Sequence, residues 1–213
     1  MDFIEAIADE RRQLADLIDA LTDEQLRTPS LMPTWSVRDV AAHLTLGFEA
    51  SLVRFALAFL TTRSLDKAVD KVTWEIARRP VKELAASLRR NASRLSTPPG
   101  TGPETSLTEV LVHGLDLRRP LGVRREMPRD RSRAALEFLA AGKARGFVKK
   151  GWREGLRFEA TDDTWSHGDG PVLRGASDSL MLAITGRVAA LDELQGDGVA
   201  ILRERFRPAA AKA

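Results

Sequence analysis

Leu107-Thr108-Glu109-Val110-Leu111-Val112-His113-Gly114-Leu115-Asp116 sets a carboxylate and an imidazole four residues apart in an otherwise apolar run. On a helix, residues four apart share a face, so Glu109 and His113 can reach a common metal ion. Val110, Leu111 and Val112 between them mark a buried helix, where a Glu and a His are costly unless paired or ligating. Spacing also leaves a second reading open. Ser106 and Glu109 satisfy a capping box, which would make Glu109 a solvated first-turn residue. Asp116, three residues after His113, either orients a ligating imidazole or pairs with Arg118 or Arg119.

Upstream, Phe3, Ile4, Ile7, Leu14, Leu17, Ile18 and Leu21 recur at helical spacing, with charges on the opposite face. Pro29 and Pro33 break the chain, and Ser36, with Asp39 three residues on, opens a second helix predicted to run to about residue 60. His43 falls on or beside its apolar face; taken alone, it reads as a hydrogen-bonded core histidine. Trp35 reads as a staple at the start of that helix. Further helices are expected over 65–77, over 80–95 with Pro80 in the first turn, and from Thr105 or Ser106 to about 120. The proline- and glycine-rich stretch 97–103 is a loop. Residues 1–122 thus read as an up-and-down four-helix bundle.

Downstream the pattern changes. A helix over 134–148 precedes short strand-like runs at 156–160, 164–166 and 171–174. Helices over 177–184 and 199–206 follow, with a turn at Gly196-Asp197-Gly198. The fold class is α+β, a helical bundle followed by a small α+β domain over 123–208 and a frayed tail over 209–213. His167 is assigned to a surface hairpin loop. Arg118, Arg119, Arg124, Arg125, Arg129, Arg131 and Arg133 read as a solvated inter-domain linker, the rival being a polyanion site.

The chain has 213 residues, a formal charge of +3 and no cysteine. Disulfides, cysteine-ligated metal sites and cysteine nucleophiles are therefore excluded, and any thiol must come from another molecule. No nucleic-acid-reading motif accompanies the arginines, so no nucleic-acid partner is expected. The acidic N-terminus lacks the basic segment of a signal peptide. The longest apolar stretch, 44–60, is interrupted by Glu49 and Arg54, so no membrane span is expected. A cytoplasmic protein, monomer or homodimer, fits these features.

His43, Glu109 and His113 together supply two imidazole nitrogens and a carboxylate oxygen. That set suits zinc, or another divalent ion, with a coordination position left for substrate. Such an ion can polarise an oxygen, activate water or hold an incoming thiol. Two rivals remain: a hydrolase with Asp116 as its base, and a non-catalytic metal- or ligand-binding module.

Pro33-Thr-Trp-Ser-Val-Arg-Asp-Val-Ala-Ala-His43-Leu44, with Glu109-Val-Leu-Val-His113-Gly-Leu-Asp116-Leu117, resembles the mycothiol-dependent maleylpyruvate isomerase family, one of the DinB-like metal-binding bundles. Asp178-Ser-Leu-Met-Leu-Ala-Ile-Thr-Gly186-Arg187 and Gln195-Gly-Asp197 are loosely similar to that family's C-terminal α+β domain. The resemblance implies zinc on His43, Glu109 and His113, mycothiol (an actinobacterial thiol) as cofactor, and cis–trans isomerisation or thiol S-transfer as the activity. It also implies a small electrophilic, dicarboxylate substrate, which an arginine clamp would suit. Arg187 is the candidate at the reacting substrate, alongside Asp116; Arg203 and Arg205 are the candidates at the cofactor.

Overall fold

The computed structural model describes residues 1–97, 100–142, 144 and 146–207; Pro98 and Pro99 of the expected loop, parts of the expected helix over 134–148 and the expected tail lie outside the described residues. The chain divides into two compact units, Asp2–Arg124 and a second beginning at Arg125.

The first unit is helical. α1 (Phe3–Ala20) starts where the Asp2 carboxylate accepts from the Ile4 and Glu5 amides, and it buries Ile7, Leu14 and Ile18 in one stripe. α2 (Asp23–Arg27) is short. α3 (Val37–His43) opens on a reciprocal capping box: the Ser36 amide donates to Asp39 Oδ2 at 2.8 Å, and the Asp39 amide donates to Ser36 Oγ at 3.3 Å. Arg38 pins the same helix by donating to the Ala77 and Arg79 carbonyls, both at 2.6 Å. Ser36→Ala should therefore cost about 1 kcal/mol of stability, read by urea unfolding. Ser36→Thr, which keeps a hydroxyl acceptor for the Asp39 amide, should retain most of it.

The helix expected from Ser36 to about residue 60 is broken into three: α3, α4 (Leu46–Glu49) and α5 (Leu52–Thr62). Thr45 supplies the first break, its hydroxyl donating to the Ala42 carbonyl at 2.8 Å in competition with the helix ladder. Ala50 and Ser51 are extended, and Ser51 Oγ then caps α5 by accepting from the Arg54 amide. Gly47 lies in this region against Ser96, whose Oγ would stand 1.9 Å from an added Cβ. Apolar periodicity alone does not register such hydroxyl-driven interruptions.

α6 (Leu65–Ile76) and α7 (Val81–Arg90) follow, and α8 (Pro103–Arg118) is the centre of the unit, packed against α1 and α3. α8 is buried on nearly every side, as its consecutive apolar residues require. It begins earlier than expected, with Pro103 in the first turn, where its missing N–H costs nothing. The capping-box reading of Ser106 and Glu109 is thereby overturned, since both lie inside the helix. The linker reading also needs correction: Arg118 is buried at the end of α8, while Arg129, Arg131 and Arg133 belong to α9 (Arg129–Ala140).

In the second unit, α9 starts and ends earlier than the expected 134–148. β1 (Arg157–Ala160) pairs antiparallel with β2 (Ser166–His167) and parallel with β3 (Val172–Gly175), giving the order β2-β1-β3. Phe158 and Leu173 are buried on this sheet. α10 (Ser177–Ile184) packs on α9, on β3 and on a 3-10 turn over Val188–Glu193; α11 (Gly198–Phe206) packs on β3. His167 is not in a hairpin loop: it sits in β2 opposite Phe158, its ring stacked near Trp165. Among the described residues, no helix is long and apolar enough to cross a membrane.

Candidate metal centre

α3 packs on both α6 and α8, and this brings the last residue of α3 to the middle of α8. The His43 and His113 rings meet edge to face with centroids 4.7 Å apart. His43 Nε2 lies 3.9 Å from Glu109 Oε1. In a tetrahedral zinc site with bonds of about 2.0–2.1 Å, neighbouring ligand atoms stand roughly 3.4 Å apart. The observed separation is longer by about half an ångström, within reach of small side-chain rotations. Among the described residues, no three His, Asp or Glu side chains form a closed metal-binding group, so the trio is adjacent without being drawn together.

The chemistry of the donors nonetheless fits a metal. His113 Nδ1 is 2.9 Å from Asp116 Oδ2, and Asp116 is fully buried. A carboxylate can only accept, so Nδ1 carries the proton and the Nε2 lone pair is left for a ligand. His43 Nδ1 faces Thr73 Oγ1 on α6 at 3.4 Å, which likewise turns its Nε2 towards Glu109. Asp116→Asn, which keeps the shape and removes the charge, should weaken zinc affinity by roughly 10–100-fold, measured by competition with a chromophoric chelator.

Glu109 keeps 30% side-chain exposure although protein atoms surround it deeply. Desolvation pushes its carboxyl above the ordinary carboxylate range, opposed by His113 and then by Arg11. Arg11, on α1, has its own charge disfavoured by burial and supported by Glu109. Its Nη1 donates to the Asn91, Ala92 and Arg94 carbonyls, and its guanidinium lies 4.9 Å above the Phe48 ring.

Four neighbours were not singled out from sequence as part of this cluster: Arg11, Trp35, Asp70 and Thr73. Trp35 is more than a staple. Its ring packs on His43 at 4.7 Å and near His113 at 6.2 Å, while Nε1–H donates to Asp70 Oδ1 at 2.9 Å. Two of these left a trace in the pattern. Arg11 interrupts the apolar stripe Ile7–Leu14–Ile18, and Thr73 lies beside Val72 on the buried face of α6. A polar side chain on a buried stripe has to find a polar partner. Thr105 continues the polar face of α8 one turn before Glu109; its hydroxyl is buried and makes no hydrogen bond among the described residues.

Asp116 therefore stands with the three candidate ligands in the helical unit. The remaining candidates belong to the second unit. Arg187 is buried and donates to the Thr185 carbonyl at 2.8 Å; Arg203 pairs with Asp192 at 2.7 Å; Arg205 donates to the Trp152 carbonyl at 2.9 Å.

Residues 7–101 match the family model described as the mycothiol maleylpyruvate isomerase N-terminal domain, a stretch that includes His43 and ends before Glu109 and His113. Two similar solved structures are a mycothiol-dependent maleylpyruvate isomerase and a histidine-to-alanine mutant of such an enzyme. The first is 17% identical with a TM-score of 0.53, and the second 16% identical with a TM-score of 0.51; each comparison covers 93% of this chain and 96% of the other. No curated protein matches the chain. At such identities the structures speak to fold, and the fold they share with this chain is α+β. Over residues 7–101, the chain is similar to the mycothiol maleylpyruvate isomerase N-terminal domain.

Proposed function

We propose that this chain is a metal-dependent enzyme of the maleylpyruvate isomerase type that uses an external low-molecular-weight thiol. In this reading His43, Glu109 and His113 hold zinc, mycothiol is the thiol, and the substrate is a small electrophilic dicarboxylate. The observation that carries it is the meeting of the two imidazoles and the Glu109 carboxylate, with both Nδ1 atoms turned to Asp116 and Thr73.

Bound there, the ion would keep an incoming thiol deprotonated at neutral pH, the form able to add reversibly to an activated double bond. The chain has no cysteine to compete for that position. Its own residues prepare the pocket. Asp116 fixes the tautomer and tilt of His113, and Thr73 helps orient the His43 ring. Trp35, anchored on Asp70, walls both imidazoles with an apolar face and lowers the local dielectric, which strengthens charge interactions within the site. Arg187, Arg203 and Arg205 are the cationic groups this reading offers to the substrate and the thiol. The hydrolytic rival fares worse, because Asp116, the base it requires, is fully buried with Oδ2 engaged by His113.

The test is elemental analysis of the purified protein, followed by an assay of maleylpyruvate conversion with and without mycothiol. Bound zinc and conversion that needs both zinc and thiol are expected. Zinc-free protein with full thiol-dependent turnover, or turnover indifferent to thiol, overturns the proposal.

A further inference from the structure

α5 is built inside out. Of its eleven residues, all described, Ala58 alone is buried, yet the helix reads Leu-Val-Arg-Phe-Ala-Leu-Ala-Phe-Leu-Thr-Thr. Leu52 is 90% exposed, Val53 71%, Leu57 57% and Leu60 69%. At about 100° per residue, Leu52, Val53, Ala56, Leu57, Phe59 and Leu60 fall within a single arc of roughly 160°, centred opposite Ala58. The inner side of α5 rests on α6, so this apolar arc is the outer face of the α5–α6 pair.

We propose that α5 is a self-association surface through which two copies of this chain pair. The area is the first argument. Large apolar side chains present on the order of 150–200 Å² each, so the exposed fractions here amount to roughly 600 Å². That is the upper end for a patch on a monomer and about three quarters of one partner's share in a standard interface. Charge is the second. Between residues 52 and 76 the chain carries the cations Arg54, Arg63, Lys67 and Lys71 and the acids Asp66, Asp70 and Glu75, Asp70 being engaged by Trp35. Charges of both signs therefore lie on this helix pair, with Arg54 beside Glu75, in place of the basic stripe an anionic membrane would select. The centre of the arc carries no charge, as the core of an interface should not.

Shape is the third argument. A groove of about 450 Å³ between α5 and α6 is lined by Val53, Arg54, Leu57, Lys71 and Glu75, among others. Arg54 and Glu75 face each other across it at 3.9 Å. It is large enough to take an apolar side chain from a second copy. The inference stands independently of any metal or substrate.

Light scattering and sedimentation of the full chain, from micromolar to submillimolar concentration, test it. The native chain should form a dimer whose melting temperature rises with concentration. Leu57→Glu and Leu60→Glu should each yield a monomer with unchanged circular dichroism. Should either fold poorly, Leu52→Glu replaces it, at a position too exposed to support the fold. A native chain that stays monomeric throughout overturns the proposal, whether or not it binds anionic vesicles. So does a dimer that survives these substitutions.

Discussion

On the proposed metal-site reading, His113→Ala is expected to release the metal and abolish thiol-dependent turnover. The imidazole has two jobs. Its Nε2 is available to a ligand because Nδ1 is tied to Asp116 at 2.9 Å, so truncation removes a candidate metal donor and one hydrogen bond of a fully buried carboxylate. Orienting partners of metal ligands are worth roughly 10–100-fold in affinity, and loss of a ligand itself should exceed that. Loss of that hydrogen bond to a buried charged acceptor adds a stability cost of roughly 1–3 kcal/mol. Pairing His113→Ala with Asp116→Asn separates the two jobs. The double variant should regain part of the melting temperature and none of the zinc, measured by calorimetry and elemental analysis. A His113→Ala protein that retains zinc and full turnover would contradict the ligand assignment.

Glu109→Gln is expected to move metal affinity and metal-free stability in opposite directions. Desolvation raises the Glu109 carboxyl in the folded chain above its unfolded value. A group with a raised folded value holds its proton more tightly when folded. The metal-free protein is therefore penalised at neutral pH, and the penalty is relieved as pH falls through the window above the ordinary carboxylate value of about 4.3. Glutamine carries no charge, so Glu109→Gln should melt several degrees higher than the native metal-free chain at neutral pH, with the difference shrinking on acidification. Arg11 and His113 offset part of this penalty, and the partial exposure of Glu109 softens it further. In the presence of zinc the order should reverse, because the amide oxygen is a poor replacement for a carboxylate ligand. Paired melting curves with chelator and with zinc, across pH, check both halves. A metal-free Glu109→Gln chain less stable than native at neutral pH would show that the carboxylate is a structural anchor.

Much of this is legible one residue type at a time. The four-residue spacing of Glu109 and His113, the apolar residues between them and the Ser36–Asp39 capping box are local facts, and local facts survive folding when nothing nearby competes. The break after His43 is not legible, because Thr45 Oγ1 and the extended Ala50–Ser51 pair act through hydrogen bonds that leave the hydrophobic period intact. The start of α8 escapes for a related reason: Ser106 and Glu109 have the composition of a capping box, while Pro103 opens the helix a turn sooner.

Chain composition alone settled that this protein owns no thiol, and helical periodicity alone put Glu109, His113 and Asp116 on a common face of a buried helix. Only packing decided that α3 lies against α8 so that His43 reaches Glu109, that Thr73 of α6 meets His43, and that Trp35 covers both rings. The reason is one of range. Spacing along a helix fixes which residues share a side, whereas contacts between residues far apart in the chain depend on how whole surfaces interlock, and no short stretch of sequence carries that information.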